Sequence, residues 1–195
     1  MNNLPDILWR NQGQALTPEL IHGILAGAAF RPFRGIDVAQ FGQKECNGFV
    51  FQAERFADVV SELAPLHRMQ WREVDERLQF LPFNPNYEKY IEQDRDGGLI
   101  QFTIRKDGAL VGYCLVRLFN SMHTQTLSAM EDSLFMHPDH RGGFTMIHFV
   151  KWMVACLQWL GAKEVRVTSK VSNKSHVLMQ RAGFTPCAMQ LVKML

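Results

Sequence analysis

The sequence lacks most of the features that would settle a function cheaply. Its four cysteines, Cys46, Cys114, Cys156 and Cys187, lie far apart. No C-x-x-C pair exists, which removes zinc-ribbon and thioredoxin-type readings. Met1 to Arg10 has no basic-then-apolar leader pattern, so reduced thiols in a cytoplasmic protein are expected. No Gly-Lys-Ser/Thr follows a glycine run, which excludes a P-loop. An excess of one charge is missing too. With 21 Lys and Arg against 19 Asp and Glu, the net charge is +2, and no strong field points to nucleic acid or an anionic membrane. The most apolar stretch, Phe144 to Leu160, is short for a membrane span and is interrupted by His148, Lys151 and Gln158. There is no internal repeat and no low-complexity tract.

What remains is a chain long enough for one domain with a sizeable core. Thr17-Pro18-Glu19 predicts a helix start, with Thr as cap and Pro in the first turn, running to about Ala29. Residues 1 to 47 are read as an extension carrying that one short helix, and residues 48 to 195 as the main domain. Gly48 to Glu54 predicts a strand, and Phe56 to Val74 a helix bent near Pro65. Asn86 is placed to cap a second helix, Tyr87 to Arg95, ended by Gly97-Gly98. Leu99 to Arg105, an Asp107-Gly108 hairpin turn, and Ala109 to Phe119 read as paired strands. Thr126 to Met136 makes a third strand. A long helix to Leu160, a strand at Glu164 to Thr168, a short helix at Asn173 to Ala182 and a last strand at Thr185 to Met194 follow. That order predicts an α/β fold: an antiparallel meander followed by a βαβ crossover, a mixed sheet with helices on both faces.

The stretch with the most chemistry is His137-Pro-Asp-His-Arg-Gly-Gly-Phe-Thr145, between a strand and a helix. A helix N-terminus presents unpaired N–H groups and partial positive charge, which suits an anion. Gly142 and Gly143 let a phosphate approach the main chain, and Arg141 adds a fixed charge. A strand-to-helix turn that binds nothing is the competing reading. His137-x-x-His140 lacks the further ligands a metal needs, so no metal is expected.

In this arrangement the sequence resembles the GNAT superfamily of acyl-CoA-dependent N-acyltransferases over residues 48 to 195. Four features carry the resemblance in order: the Asp-Gly hairpin with Leu110-Val111-Gly112-Tyr113; Leu134-Phe135-Met136-His137-Pro138 entering the glycine turn; Lys163 to Val167 after a Gly-capped helix; and Asn173 with Ala182-Gly183-Phe184. The resemblance implies acetyl-CoA as co-substrate and a primary amine as acceptor. Its diphosphate motif, Gln/Arg-x-x-Gly-x-Gly/Ala, fits in two phases. Starting at His140 puts Gly143 and Thr145 on the small positions; starting at Arg141 puts Phe144 and Met146 there. The resemblance further implies that N–H groups from Arg141, Gly142, Gly143, Phe144 and Thr145 hold the diphosphate, that Asn173 contacts the cofactor, and that pantetheine pairs with exposed backbone at Leu134, Phe135 and Met136. The N–H of Leu134 or Phe135 would then polarise the thioester carbonyl.

Transfer to an amine needs a base to remove a proton. Strand alternation lets only one of Glu131 and Asp132 face the groove. Asp132, expected on the face of Leu134 and Met136, is the first candidate and Glu131 the second; the competing reading is that either caps a turn or pairs with Arg. His123 is more remote. The helix after Asn173 has no Tyr to protonate the leaving thiolate, and Met179 stands near that place. Two other classes compete: an inactive GNAT-fold module that binds CoA or nothing, and an interaction protein dimerising through its apolar helix and final strand.

Overall fold

The computed structural model describes residues 9, 11–21, 36–75, 82–170, 173, 175–189, 191 and 193. Among these residues six strands form one sheet in chain order: β1 (Lys44–Cys46), β2 (Phe49–Glu54), β3 (Leu99–Lys106), β4 (Ala109–Asn120), β5 (Leu127–Met136) and β6 (Glu164–Arg166). The first five pair antiparallel, and β5 pairs with β6 in parallel. The meander and crossover are therefore as expected. One strand was not foreseen. Lys44–Cys46 folds back on β2 through a turn at Asn47 and Gly48, both at positive φ. Three residues with two charges carry no legible alternation.

Helices cover both faces. α1 (Phe56–Gln70), which continues as a π-helical turn (Trp71–Asp75), and α2 (Tyr87–Arg95) lie on one. Phe56, Val59, Leu63 and Leu66 of α1 pack there against Leu99, Tyr113, Leu115 and Phe135 of the sheet. α3 (Thr145–Trp159) covers the other face, setting Phe149, Val150, Met153 and Leu157 against Phe51, Phe102, Ile104 and Val116. Each such large side chain contributes roughly 1.5–3 kcal/mol on burial. α4 (Ser175–Arg181) packs Met179 into the same core.

Local signals set several boundaries. The Asp107-Gly108 turn has φ of 51° and 82°, the left-handed pair a two-residue hairpin needs. Asn86 Oδ1 accepts from Lys89 N–H at 3.0 Å and starts α2. α1 is capped from a distance instead: buried Asp94 of α2 accepts the Phe56 N–H at 3.2 Å. Pro18 to Ile21 are helical, and Thr17 Oγ1 accepts from Leu20 N–H at 3.2 Å; the rest of that expected helix lies outside the described residues.

One expected element is corrected. Phe184 to Met189 form no strand, and Thr185 to Met189 are exposed. β6, the outermost strand, is only three residues long and offers little edge for a further strand to pair with. Among the described residues, no helix is long and apolar enough to cross a membrane.

Candidate active site

The site is built around β5, and a β-bulge organises it. Leu115 of β4 faces Ser133, but the next residue, Val116, faces Glu131. Asp132 is the extra residue. The bulge breaks the alternation on which the sequence reading relied. Leu134 and Met136 pack on the α3 face, whereas Ser133 lines a cavity on the α1–α2 face and Phe135 joins the core there. Asp132 lines the same cavity. Its side chain thus faces away from Leu134 and Met136, contrary to the expectation. Glu131, opposite Val116, lies toward the α3 side, where its Oε2 accepts the Thr168 N–H at 3.0 Å.

Asp132 is held on both oxygens. Arg117 Nη2 lies 2.8 Å from Oδ1, and the Tyr90 hydroxyl donates to Oδ2 at 3.3 Å. Burial first, and the Asp132 carboxylate second, push the Tyr90 phenol above its ordinary value, so it remains a donor. The Asp132 side chain is 22% exposed and therefore open to a small ligand. Neither Arg117 nor Tyr90 was singled out from sequence, because strand and helix periodicity cannot show that both meet Asp132, Tyr90 from 42 residues away. His67 of α1 also lines the cavity. Its Nδ1 lies 3.2 Å from the Tyr87 hydroxyl, and desolvation lowers its pKa to about 4, which keeps it neutral. Buried Tyr113 is hydrogen-bonded to Gln70.

Beside this cavity the sheet opens. β5 and β6 pair only from Ser128 to Met130 on β5. The His137 N–H donates to Val111 O of β4 at 2.8 Å. Backbone direction alternates along an antiparallel strand, so the Phe135 N–H also points to β4. Those of Leu134 and Met136 point to the open side. Of the Leu134 and Phe135 N–H groups, that of Leu134 faces the open side.

The glycine turn follows. Gly142 and Gly143 have φ of 145° and 55°, and a Cβ built on either meets nothing within 4 Å. α3 begins at Thr145 after Phe144, with no side-chain cap, so its first N–H groups lack an N-cap side chain. Phe144 itself is 61% exposed. Arg141 differs from expectation. Its N–H already donates to Pro138 O at 3.1 Å, so the amides open to a ligand start at Gly142. Its side chain donates from Nε to Met136 O at 2.8 Å, grips Glu73 through both terminal nitrogens at 2.9 and 2.7 Å, and lies 5.0 Å from the Phe135 ring centroid. Asn173 Oδ1 accepts the Ser175 N–H at 3.0 Å and caps α4. The structure therefore brings Asp132, the open edge of β5 and the glycine turn together, and leaves Glu131 on the other face. Among the described residues no group of His, Cys, Asp or Glu is arranged to hold a metal.

No family model and no curated protein sequence matches the chain. Solved structures do. A ribosomal-protein-alanine N-acetyltransferase from Brucella melitensis biovar Abortus 2308 is 16% identical, with a TM-score of 0.57 over 75% of this chain and 99% of that one. Glucosamine-6-phosphate N-acetyltransferase from Arabidopsis thaliana is 14% identical, with a TM-score of 0.52 over 75% and 97%. A protein named as a transcriptional regulator from Bacillus halodurans C-125 is 15% identical, with a TM-score of 0.61 over 75% and 99%. With its meander, splayed crossover and glycine turn, the chain has the fold of the GNAT N-acetyltransferases.

Proposed function

We propose that the protein transfers an acetyl or other short acyl group from acyl-CoA to a primary amine by direct attack, with Asp132 as the base. The observation that carries this is the meeting of three features at one end of β5. These are an unpaired edge with the Leu134 N–H outward, an open glycine turn at an uncapped helix, and a carboxylate projected by a bulge.

The residues fit a coenzyme A thioester. Amides from Gly142 to Thr145 would hold its diphosphate, the open edge at Leu134 and Met136 its pantetheine arm, and Asn173 would cap α4 beside it. Bound there, the thioester supplies an activated acyl carbon. The chain's own residues do the rest. The Leu134 N–H offers a fixed donor to the thioester oxygen. Asp132, oriented by Arg117 and Tyr90, takes a proton from the attacking amine, since a lysine-type amine with a pKa of about 10 is mostly protonated at neutral pH. The nitrogen–carbon bond forms as the carbon–sulfur bond breaks, and solvent supplies the proton for the thiol, because α4 carries no Tyr. In this proposal residues 48 to 195 carry the activity. Residues 1 to 47 form an extension, from which Lys44–Cys46 supplies an edge strand.

The alternative is a module that holds CoA without catalysis. The absence of a Tyr on α4 and the imperfect glycine motif favour it. The two separate by assay: thiol release from acetyl-CoA with a panel of primary amines, in the native chain and in Asp132→Ala. Turnover that disappears in the variant while calorimetry still records CoA binding supports the transferase. CoA binding without turnover on any amine supports the module.

A further inference from the structure

The cavity beside Asp132 carries a reading of the acceptor, resting on the transferase proposal. It has a volume of about 350 Å³ and lies between the end of α1, the 82–85 loop and the β5 bulge. That is the small end of ligand pockets. Its walls include Trp71, Phe83, Tyr90 and Leu115. The Trp71 and Phe83 rings sit 5.7 Å apart at 44°, from two different elements. Among the described residues Asp132 is the one carboxylate lining the cavity, and desolvation keeps His67 uncharged at neutral pH.

We propose that this cavity selects a small amine with one positive charge and a flat apolar body, an arylalkylamine. The charge fits Asp132 and the aromatic walls, which attract a cation through their ring faces. The body fits against the wall that the Trp71 and Phe83 rings form in contact with each other. Two other kinds of amine are disfavoured by the same lining. A polycation would bring further ammonium groups against a lining that, among the described residues, offers no second carboxylate, and would lose part of their hydration without return. For an amine bearing a phosphate, the described residues lining the cavity include no cation, and nearby Arg117 is paired with Asp132.

The test uses the full chain with CoA present. Phenethylamine, tryptamine, kanamycin and glucosamine 6-phosphate are titrated by calorimetry, with saturation-transfer NMR as a second readout. Phenethylamine and tryptamine are expected to bind saturably, at least tenfold tighter than the other two. Phe83→Ser and Asp132→Asn are each expected to weaken them tenfold or more; if one variant does not fold, the other still decides. Tighter binding of kanamycin or glucosamine 6-phosphate overturns the proposal. So does the absence of saturable arylalkylamine binding, or binding unchanged in the folded variants. Acetyl transfer is read separately. Arylalkylamine binding without turnover upholds this site and removes the transferase reading, whereas turnover that prefers kanamycin does the reverse.

Discussion

If the Arg141 side chain joins the Gly142–Thr145 amides in holding the coenzyme A diphosphate, it must leave Glu73, and Glu73→Gln tests this. In the structure Arg141 grips Glu73 with two hydrogen bonds at 2.9 and 2.7 Å, and the two side chains are 41% and 39% exposed. Exposed ion pairs contribute about 0–1 kcal/mol, and a bidentate geometry belongs at the upper end of that range. If Arg141 turns to the cofactor's diphosphate, that contact is lost on binding. Removing the Glu73 charge beforehand then spares about 1 kcal/mol. A change of 1.4 kcal/mol is tenfold in Kd, so Glu73→Gln should bind CoA about fivefold tighter. Arg141→Ala should bind it more weakly than the native chain, and the gain from Glu73→Gln should vanish in the double variant. Calorimetry at low salt reads all four proteins, and raising the salt should shrink the differences. The reasoning fails if Glu73→Gln binds CoA no tighter, or if Arg141→Ala leaves affinity unchanged.

Other outcomes follow from the same geometry. Asp132→Asn should lower acetyl transfer by about 10²- to 10⁴-fold, the range for loss of a positioned base, with CoA affinity retained in calorimetry. Gly112→Ala should destabilise the fold by about 1–3 kcal/mol, because its Cβ would lie 3.0 Å from Ile104 Cδ1 and 3.1 Å from Phe135 O; thermal unfolding measures this. His67 makes stability depend on pH. Its pKa falls from 6.5 to about 4 on folding, so between those values the unfolded chain binds the extra proton and stability declines as pH drops. About 2–3 kcal/mol should be lost from His67 between pH 7.5 and 4.5. Denaturant unfolding of His67→Phe should show that much less loss over the same interval.

Much of the fold was legible because its signals are local. The Asp107-Gly108 turn, the Asn86 cap and the buried spacing of Val59, Leu63 and Leu66 each depend on a few neighbouring residues. The edge strand at Lys44–Cys46 was missed, because its three residues are defined by pairing with β2 and not by a pattern of their own. The site was legible in outline only. Asp132 does line a groove, but the sequence argument for its direction assumed a regular strand, and the bulge reverses it. Arg117, Tyr90, His67 and Glu73 reach their partners from across the chain, through contacts that periodicity does not encode. Arg141 shows the limit most plainly. The motif marks it as a positive charge beside a phosphate cradle, while its present partner, Glu73, lies 68 residues away.

The most direct test is a crystal structure of the protein soaked with acetyl-CoA. The account predicts the diphosphate on the main-chain amides of Gly142 to Thr145, the pantetheine arm along Leu134 to Met136, and the acetyl group near the Asp132 cavity. A cofactor bound on another surface, or a groove between β5 and β6 that stays closed to millimolar acetyl-CoA, would contradict it.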